Sequence, residues 1–164
     1  MPDLEESLQI AYKLLSRRAF SEKALRERLA QKKMAAETID AVVTELKNNR
    51  LLSDKVLAAD MAQSRVKNRL LGNVRIEQDL IRKGIPRDEA RRAVSDAAGN
   101  EDSPSEEERA YQLIVKRWRQ TQKGSPQALA RRLFGFLARR GFDPEIIHAA
   151  LERYGRERQE IDKI

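Results

Sequence analysis

The sequence predicts an all-α protein of three tandem three-helix repeats forming an elongated, curved array, and three observations carry that prediction. Apolar residues recur at helical spacing from Leu8 to Leu151, and no alternating strand pattern bounded by turn signals interrupts them. The stretch "GNVRIEQDLIRKGIP", Gly72 to Pro86, rewrites "SEKALRERLAQKKMA", Ser21 to Ala35: Leu25, Leu29, Met34 and Val43 find Ile76, Leu80, Ile85 and Val94 each 51 residues on. A third copy follows, with Leu133, Leu137, Phe142 and Leu151 a further 57 residues along. A constant offset held over some twenty residues marks an internal repeat. Each repeat is too small to bury both faces of its helices alone, so neighbours are expected to stack.

In the first repeat, Leu8, Ala11, Leu14 and Leu15 form the apolar stripe of a helix that ends near "RRAF". Ser21 is an apt cap for the next helix, whose Leu25 and Leu29 lie one turn apart. Ile39, Val42, Val43 and Leu46 space a third helix for burial. The second repeat opens at "LLSD", with Ser53 and Asp54 as caps, and runs through Leu57, Met61, Ala62 and Val66. Gly72 turns the chain into the helix of Ile76 and Leu80. Gly84 is placed to end that helix in a left-handed residue, and Pro86 to begin the next in its first turn. The same signal returns as "GFDP", Gly141 to Pro144, with Asp143 as cap.

Between the second and third repeats lies "GNEDSPSEEE", an acidic linker expected to be the most flexible part of the chain. Its "SPSE" reads as a capping box with Pro104 at the first helical position. In the third repeat Ser125 and Phe142 are 17 apart, against 13 from Ser21 to Met34. The four added residues amount to about one turn, which lengthens a helix without rotating its apolar face off the core. The expected division is 1–52, 53–98 and 108–155 for the repeats, 99–107 for the linker and 156–164 for a charged tail.

Composition narrows the function. The chain of 164 residues has no cysteine, hence no disulfide framework, thiolate zinc site or cysteine nucleophile, which suits a cytoplasmic protein. Nothing in "MPDLEESLQIAYKLL" resembles a signal peptide, so none is expected, and no apolar run approaches membrane length. His148 is the only histidine and sits beside Ile147 and Leu151, where a bland place at a helix edge is expected. There is no phosphate-binding GxxxxGK[ST] loop, no G-x-S-x-G elbow and no EF-hand spacing, so neither catalysis nor a cofactor or metal is expected.

A net charge of +7 points instead to a polyanionic partner. The charge is concentrated: Arg109 to Phe142 holds nine basic residues and no acid. On the first helix of that stretch Arg109, Lys116, Arg119 and Lys123 fall along one side, opposite Ala110, Tyr111, Ile114 and Trp118. On the second, Leu129, Leu133, Phe136 and Leu137 make the buried stripe while Arg131, Arg132 and Arg139 project elsewhere. Arg140, in the last turn, is read as complementing the helix dipole. Arg75 and Arg82 of the second repeat join the candidate set, although acids such as Asp79 and Asp88 are interspersed there. Trp118 and Tyr111 are expected in the core. Contacts made by such a surface would go mainly to phosphate, on single- or double-stranded DNA, and would depend on salt.

The succession "LLSRRAFSEKALRERL", "LLSDKVLAADMAQSRV", "LLGNVRIEQDLIRKGIP" and "FLARRGFDPEIIHAAL" resembles the bacterial RecX regulatory proteins, from about Leu8 to Tyr154. The most specific match is Gly72, Arg75, Ile76, Leu80, Gly84 and Ile85. The family's glycine and aromatic before its Asp, and its aromatic after, are Arg50, Leu51 and Leu57 here; all three are read as packing positions. The resemblance implies a monomeric negative regulator of the RecA recombinase, bound in the groove of the RecA filament on single-stranded DNA. There it would suppress filament growth, ATP hydrolysis, strand exchange and coprotease action. Residues alone leave open a stand-alone DNA-binding protein of helix-turn-helix modules, or a scaffold that binds only protein.

Overall fold

The computed structural model describes residues 3–120 and 125–161, with the side chains of 119, 120, 160 and 161 left aside. Among these residues the structure is helical throughout: α1 (Leu4–Leu15), α2 (Glu22–Gln31), α3 (Ala36–Asn48), α4 (Asp54–Ser64), α5 (Asn73–Arg82), α6 (Arg87–Ala98), α7 (Glu106–Gln120), α8 (Pro126–Arg139) and α9 (Pro144–Ile161). α4 runs into a π turn, Arg65–Arg69, closed by Leu70 in the left-handed region at φ 48°. α9 continues past the expected start of a tail at residue 156. The chain divides into two compact units, Met1–Met61 with Asp79–Ala93, and Ala62–Gln78 with Val94–Ile164.

In the first unit α1 and α2 both pack on α3, and Ala11, Leu25, Leu29, Val42 and Leu46 are fully buried between them. Cutting a leucine in such a position to alanine costs ~2–5 kcal/mol. Ser21 caps α2 as expected: its Oγ accepts from the Ala24 amide at 3.2 Å. The same hydroxyl donates its proton to the Lys83 carbonyl at 2.5 Å, in the turn that follows α5. Ser53 caps α4 through the Val56 amide at 3.3 Å. Asp54 turns away from its own helix, and its Oδ1 accepts the Glu22 amide at 2.8 Å, capping α2 from outside. Burial pushes the Asp54 carboxyl above its ordinary value, with that amide pulling the other way.

The turn after α5 ends at Gly84, whose φ is +91° and whose missing side chain makes room for Ser21; a Cβ there would meet Ser21 Oγ at 2.6 Å. At the equivalent place after α2 stands Lys33, left-handed at φ 61° and exposed. Arg50 is also left-handed, at φ 56°, which accounts for the glycine that the RecX resemblance expects there. Leu51 is 54% exposed and Arg50 is exposed as well, so of the three positions read as packing sites only Leu57 is partly covered.

In the second unit α7 packs most extensively on α9, with α8 against both. Ala110, Ile114, Leu133, Leu137, Ile147 and Ala150 are buried, and Tyr111 and Trp118 line the edge of this core with Tyr154, as expected of them. α8 has 14 residues where α2 and α5 have 10, so the four added residues lengthen this helix by a turn. The cap falls two residues later than "SPSE" suggests. Ser105 caps α7 through the Glu108 amide at 3.1 Å, and Pro104 stays outside the helix.

The turn before α5 presses against the turn after α8. The Gly72 amide donates to the Arg140 carbonyl at 3.0 Å, and a Cβ on Gly72 would lie 2.1 Å from Gly141 backbone. Gly141 has φ +80°, and a Cβ there would meet Arg75 Cβ at 2.3 Å. Glu106, the first residue of α7, accepts the Asn73 amide at 2.9 Å and so caps α5 as Asp54 caps α2.

Candidate nucleic-acid interface

α7 and α8 set out the basic surface of the second unit. Turning 3.6 residues per turn with Ala110, Leu113, Ile114 and Trp118 inward, α7 leaves Lys116 and Arg117 exposed. α8 buries Leu129, Leu133 and Leu137 and exposes Arg131, Arg132 and Arg139. Arg119 belongs to α7, but its side chain, and Lys123 altogether, lie outside the described residues. Arg75 is half-buried beside Gly141, and both it and Arg132 have interactions of their own. Arg82 belongs to the first unit, where it is exposed and ion-paired with Asp79.

Arg109 corrects the sequence reading. It is fully buried and faces no solvent. Its Nε donates to the Leu71 carbonyl at 3.1 Å, its Nη1 to the Pro104 carbonyl at 2.9 Å and its Nη2 to Asn73 Oδ1 at 2.6 Å. Burial pulls the guanidinium's pKa down, and the charge of Glu106 acts against that. The signal was present: Arg109 stands one turn ahead of Leu113, on the stripe that the core uses.

Two residues outside the candidate set become prominent. The Arg117 guanidinium lies 4.4 Å from the centroid of the Phe136 ring and that of Arg140 lies 5.1 Å from it. Arg140 also donates to the Arg69 carbonyl at 3.1 Å, at the end of the π turn, so it does more than complement a helix dipole. One ring thus carries two cations, which restricts side chains that otherwise hold much rotamer freedom. Among the described residues no carboxylate pairs with Lys116, Arg117, Arg131, Arg139 or Arg140.

Glu106 and Glu108 of α7 are occupied elsewhere. Arg153 of α9 bridges Glu108 at 2.8 Å and Glu157 at 3.1 Å, while its guanidinium lies 4.0 Å from the Tyr111 ring centroid. Glu157 also accepts from the Tyr111 hydroxyl. Hydrogen bonding to Arg153 holds Glu108 below the ordinary carboxylate range, and bonding to Tyr111 and Arg153 does the same for Glu157. Acceptance by Glu157 pushes the Tyr111 phenol up. His148 is exposed, its ring 5.1 Å from that of Phe134. No group of three metal-ligating side chains occurs among the described residues, and none of their helices is long and apolar enough to cross a membrane.

A three-helix repeat whose exposed arginines have no carboxylate paired with them among the described residues defines an all-α protein organised for contact over a surface. Residues 8–46 and 105–151 match the first and third three-helix domains of RecX. Over 162 residues the chain is 31% identical to the regulatory protein RecX of Amycolatopsis mediterranei, covering 96% of this chain and 90% of that one. The regulatory protein RecX of Deinococcus radiodurans is 30% identical over 90% of this chain and 67% of its own length. The chain belongs to the RecX family of regulatory proteins. The crystal structure of RecX from Lactobacillus salivarius has the same fold, with a TM-score of 0.80 at 19% identity over 98% of this chain and 97% of that one.

Proposed function

We propose that this protein is a negative regulator of the RecA recombinase, binding in the groove of the RecA filament on single-stranded DNA. Bound there, it inhibits filament extension, ATP hydrolysis, strand exchange and coprotease activity. Family membership supports the regulatory role, and the observation that carries the DNA-side contact is that Lys116, Arg117, Arg131, Arg139 and Arg140 have no carboxylate partner among the described residues. Lys116, Arg117, Arg131, Arg139 and Arg140 meet phosphates, with Arg75, Arg82, Arg119, Lys123 and Arg132 as further contacts. Guanidinium forks match phosphate oxygens in pairs, and holding Arg117 and Arg140 on Phe136 reduces the rotamer freedom lost on binding. Arg109 has no part in that surface. The acting form is a cytoplasmic monomer of three repeats, 1–52, 53–98 and 108–155, the last joined to the others through 99–107.

The test is single-stranded-DNA-dependent ATP hydrolysis by the RecA of the same organism, with this protein well below one per recombinase protomer. Inhibition at such ratios, lost when Arg131, Arg132 and Arg139 are replaced by alanine, is the expected result. Intact DNA binding without inhibition at any ratio would overturn the recombinase reading in favour of a stand-alone DNA-binding protein.

A further inference from the structure

Two junctions in this molecule are assembled from the same three parts. A carbonyl just before a left-handed glycine accepts a hydrogen bond: Lys83 before Gly84, and Arg140 before Gly141. The residue heading another middle helix donates it, through Ser21 Oγ in one case and the Gly72 amide in the other. A carboxylate on the first residue of a following helix then takes the amide of the headed helix's first residue: Asp54 on Glu22, and Glu106 on Asn73. The repeat offset makes the donor and the acceptor the same positions, since Ser21 and Gly72 are 51 apart and Lys83 and Arg140 are 57 apart, and Asp54 and Glu106 each stand one residue after the serine that caps their own helix.

The same three parts have a further set of positions that no junction uses. The third repeat's middle helix begins at Ser125 and Pro126, the first repeat's middle helix ends at Lys32 and Lys33, and the first helix of all begins at Leu4. The donor is kept, since Ser125 carries the hydroxyl that Ser21 has, but the other two parts are altered. Proline has no amide hydrogen to give a carboxylate. Lys33 keeps the left-handed backbone but carries a Cβ, where a Cβ on Gly84 would stand 2.6 Å from the donor hydroxyl. Leu4, 47% exposed, is the first residue of α1 as Asp54 and Glu106 are of α4 and α7, and it offers no side-chain oxygen, while the carboxylate of Asp3 before it is taken up by the Glu6 amide.

We propose that Leu4, Lys33 and Pro126 close the unmatched faces of the first and third repeats against a second copy of this chain. Without them the head of α8 would receive the tail of α2 from another molecule through the junction chemistry already used twice within one. Such a head-to-tail contact is heterologous, so it would build rings or open fibres in place of a closed dimer. Terminal repeats depart from the pattern of inner ones for this reason.

The test uses the full chain in two variants. One carries Leu4→Glu and Lys33→Gly, which restores the tail; the other carries Pro126→Asn, which restores the head. Each retains a blocked partner face and is expected to stay monomeric alone in sedimentation velocity. Mixed, the two are expected to form a one-to-one complex and nothing larger, while the chain carrying all three changes grows in mass with concentration without levelling off at a dimer. Circular dichroism and thermal melting establish that each variant is folded. All three positions are exposed, and any single change that unfolds the chain is replaced by a milder one, Leu4→Gln or Pro126→Ser. Folded variants that stay monomeric when mixed overturn the proposal, as does end-to-end assembly of the unaltered protein.

Discussion

Replacing Arg117 and Arg140 together by alanine removes two cations that share the Phe136 ring and have no carboxylate partner among the described residues. If each neutralises one phosphate of single-stranded DNA, the slope of log affinity against log salt becomes shallower by about 1.4, at roughly 0.7 per contact. The variant's deficit against the unaltered protein therefore shrinks by about sevenfold when salt rises from about 50 to about 200 mM. Fluorescence anisotropy of a labelled oligothymidylate, titrated at several salt concentrations, reads both quantities. Phe136→Leu keeps both charges and removes their platform, so it weakens binding at every salt while leaving the slope unchanged. A double variant with the unaltered protein's slope refutes the assignment of these arginines to phosphate, whatever happens to its affinity.

Arg109→Met leaves two carbonyls and an amide oxygen without their donor, and it is expected to lower the free energy of unfolding by ~3–5 kcal/mol in urea titrations. Arg109→Lys recovers only part of this, because an ammonium cannot span three acceptors in a planar fork. Gly141→Ala, at φ +80° and facing Arg75 Cβ, costs about 1–2 kcal/mol from backbone conformation alone, with the clash added. Gly155→Ala, inside α9 with nothing within 4 Å of the added carbon, stabilises by up to ~1 kcal/mol in the same urea titrations. Folding holds Glu108 below its ordinary value, so its pairing with Arg153 adds stability above the unfolded value near ~4.3 and loses it as pH falls through the folded one. Glu108→Gln is accordingly less stable than the unaltered protein at neutral pH, and the difference vanishes in acid.

Much of the architecture was legible because it depends on local chemistry. Leu25, Ile76 and Leu133, matched by offset alone, are all buried, and Ser21, Gly84 and Asp143 do at helix ends what their residue types favour. What escaped depends on neighbours far along the chain. A helical wheel put Arg109 on the polar side, yet the acceptors that draw it inward belong to a turn 36 to 38 residues away and to Pro104. Asp54 was read as capping its own helix, and only the placement of α2 shows which amide it serves. Lys33 carries no signal for a left-handed residue except its register with Gly84. The pairing of Arg117 with Arg140 joins two helices across a ring that the apolar pattern had counted as core alone.

By composition, "GNEDSPSEEE" is the part of the chain most ready to swing freely. Arg109 ties its Pro104 to the turn at Leu71 and Asn73, and Glu106 holds the Asn73 amide from the same side. Neither segment can lift without releasing a buried guanidinium that the other helps to satisfy. In hydrogen exchange, the amides of Gly72 and Asn73 should therefore become labile together with that of Arg109, at one shared opening free energy. What looks like a hinge is fastened as a clasp, and the slow cooperative opening of that clasp sets how readily the third repeat can part from the turn beneath it.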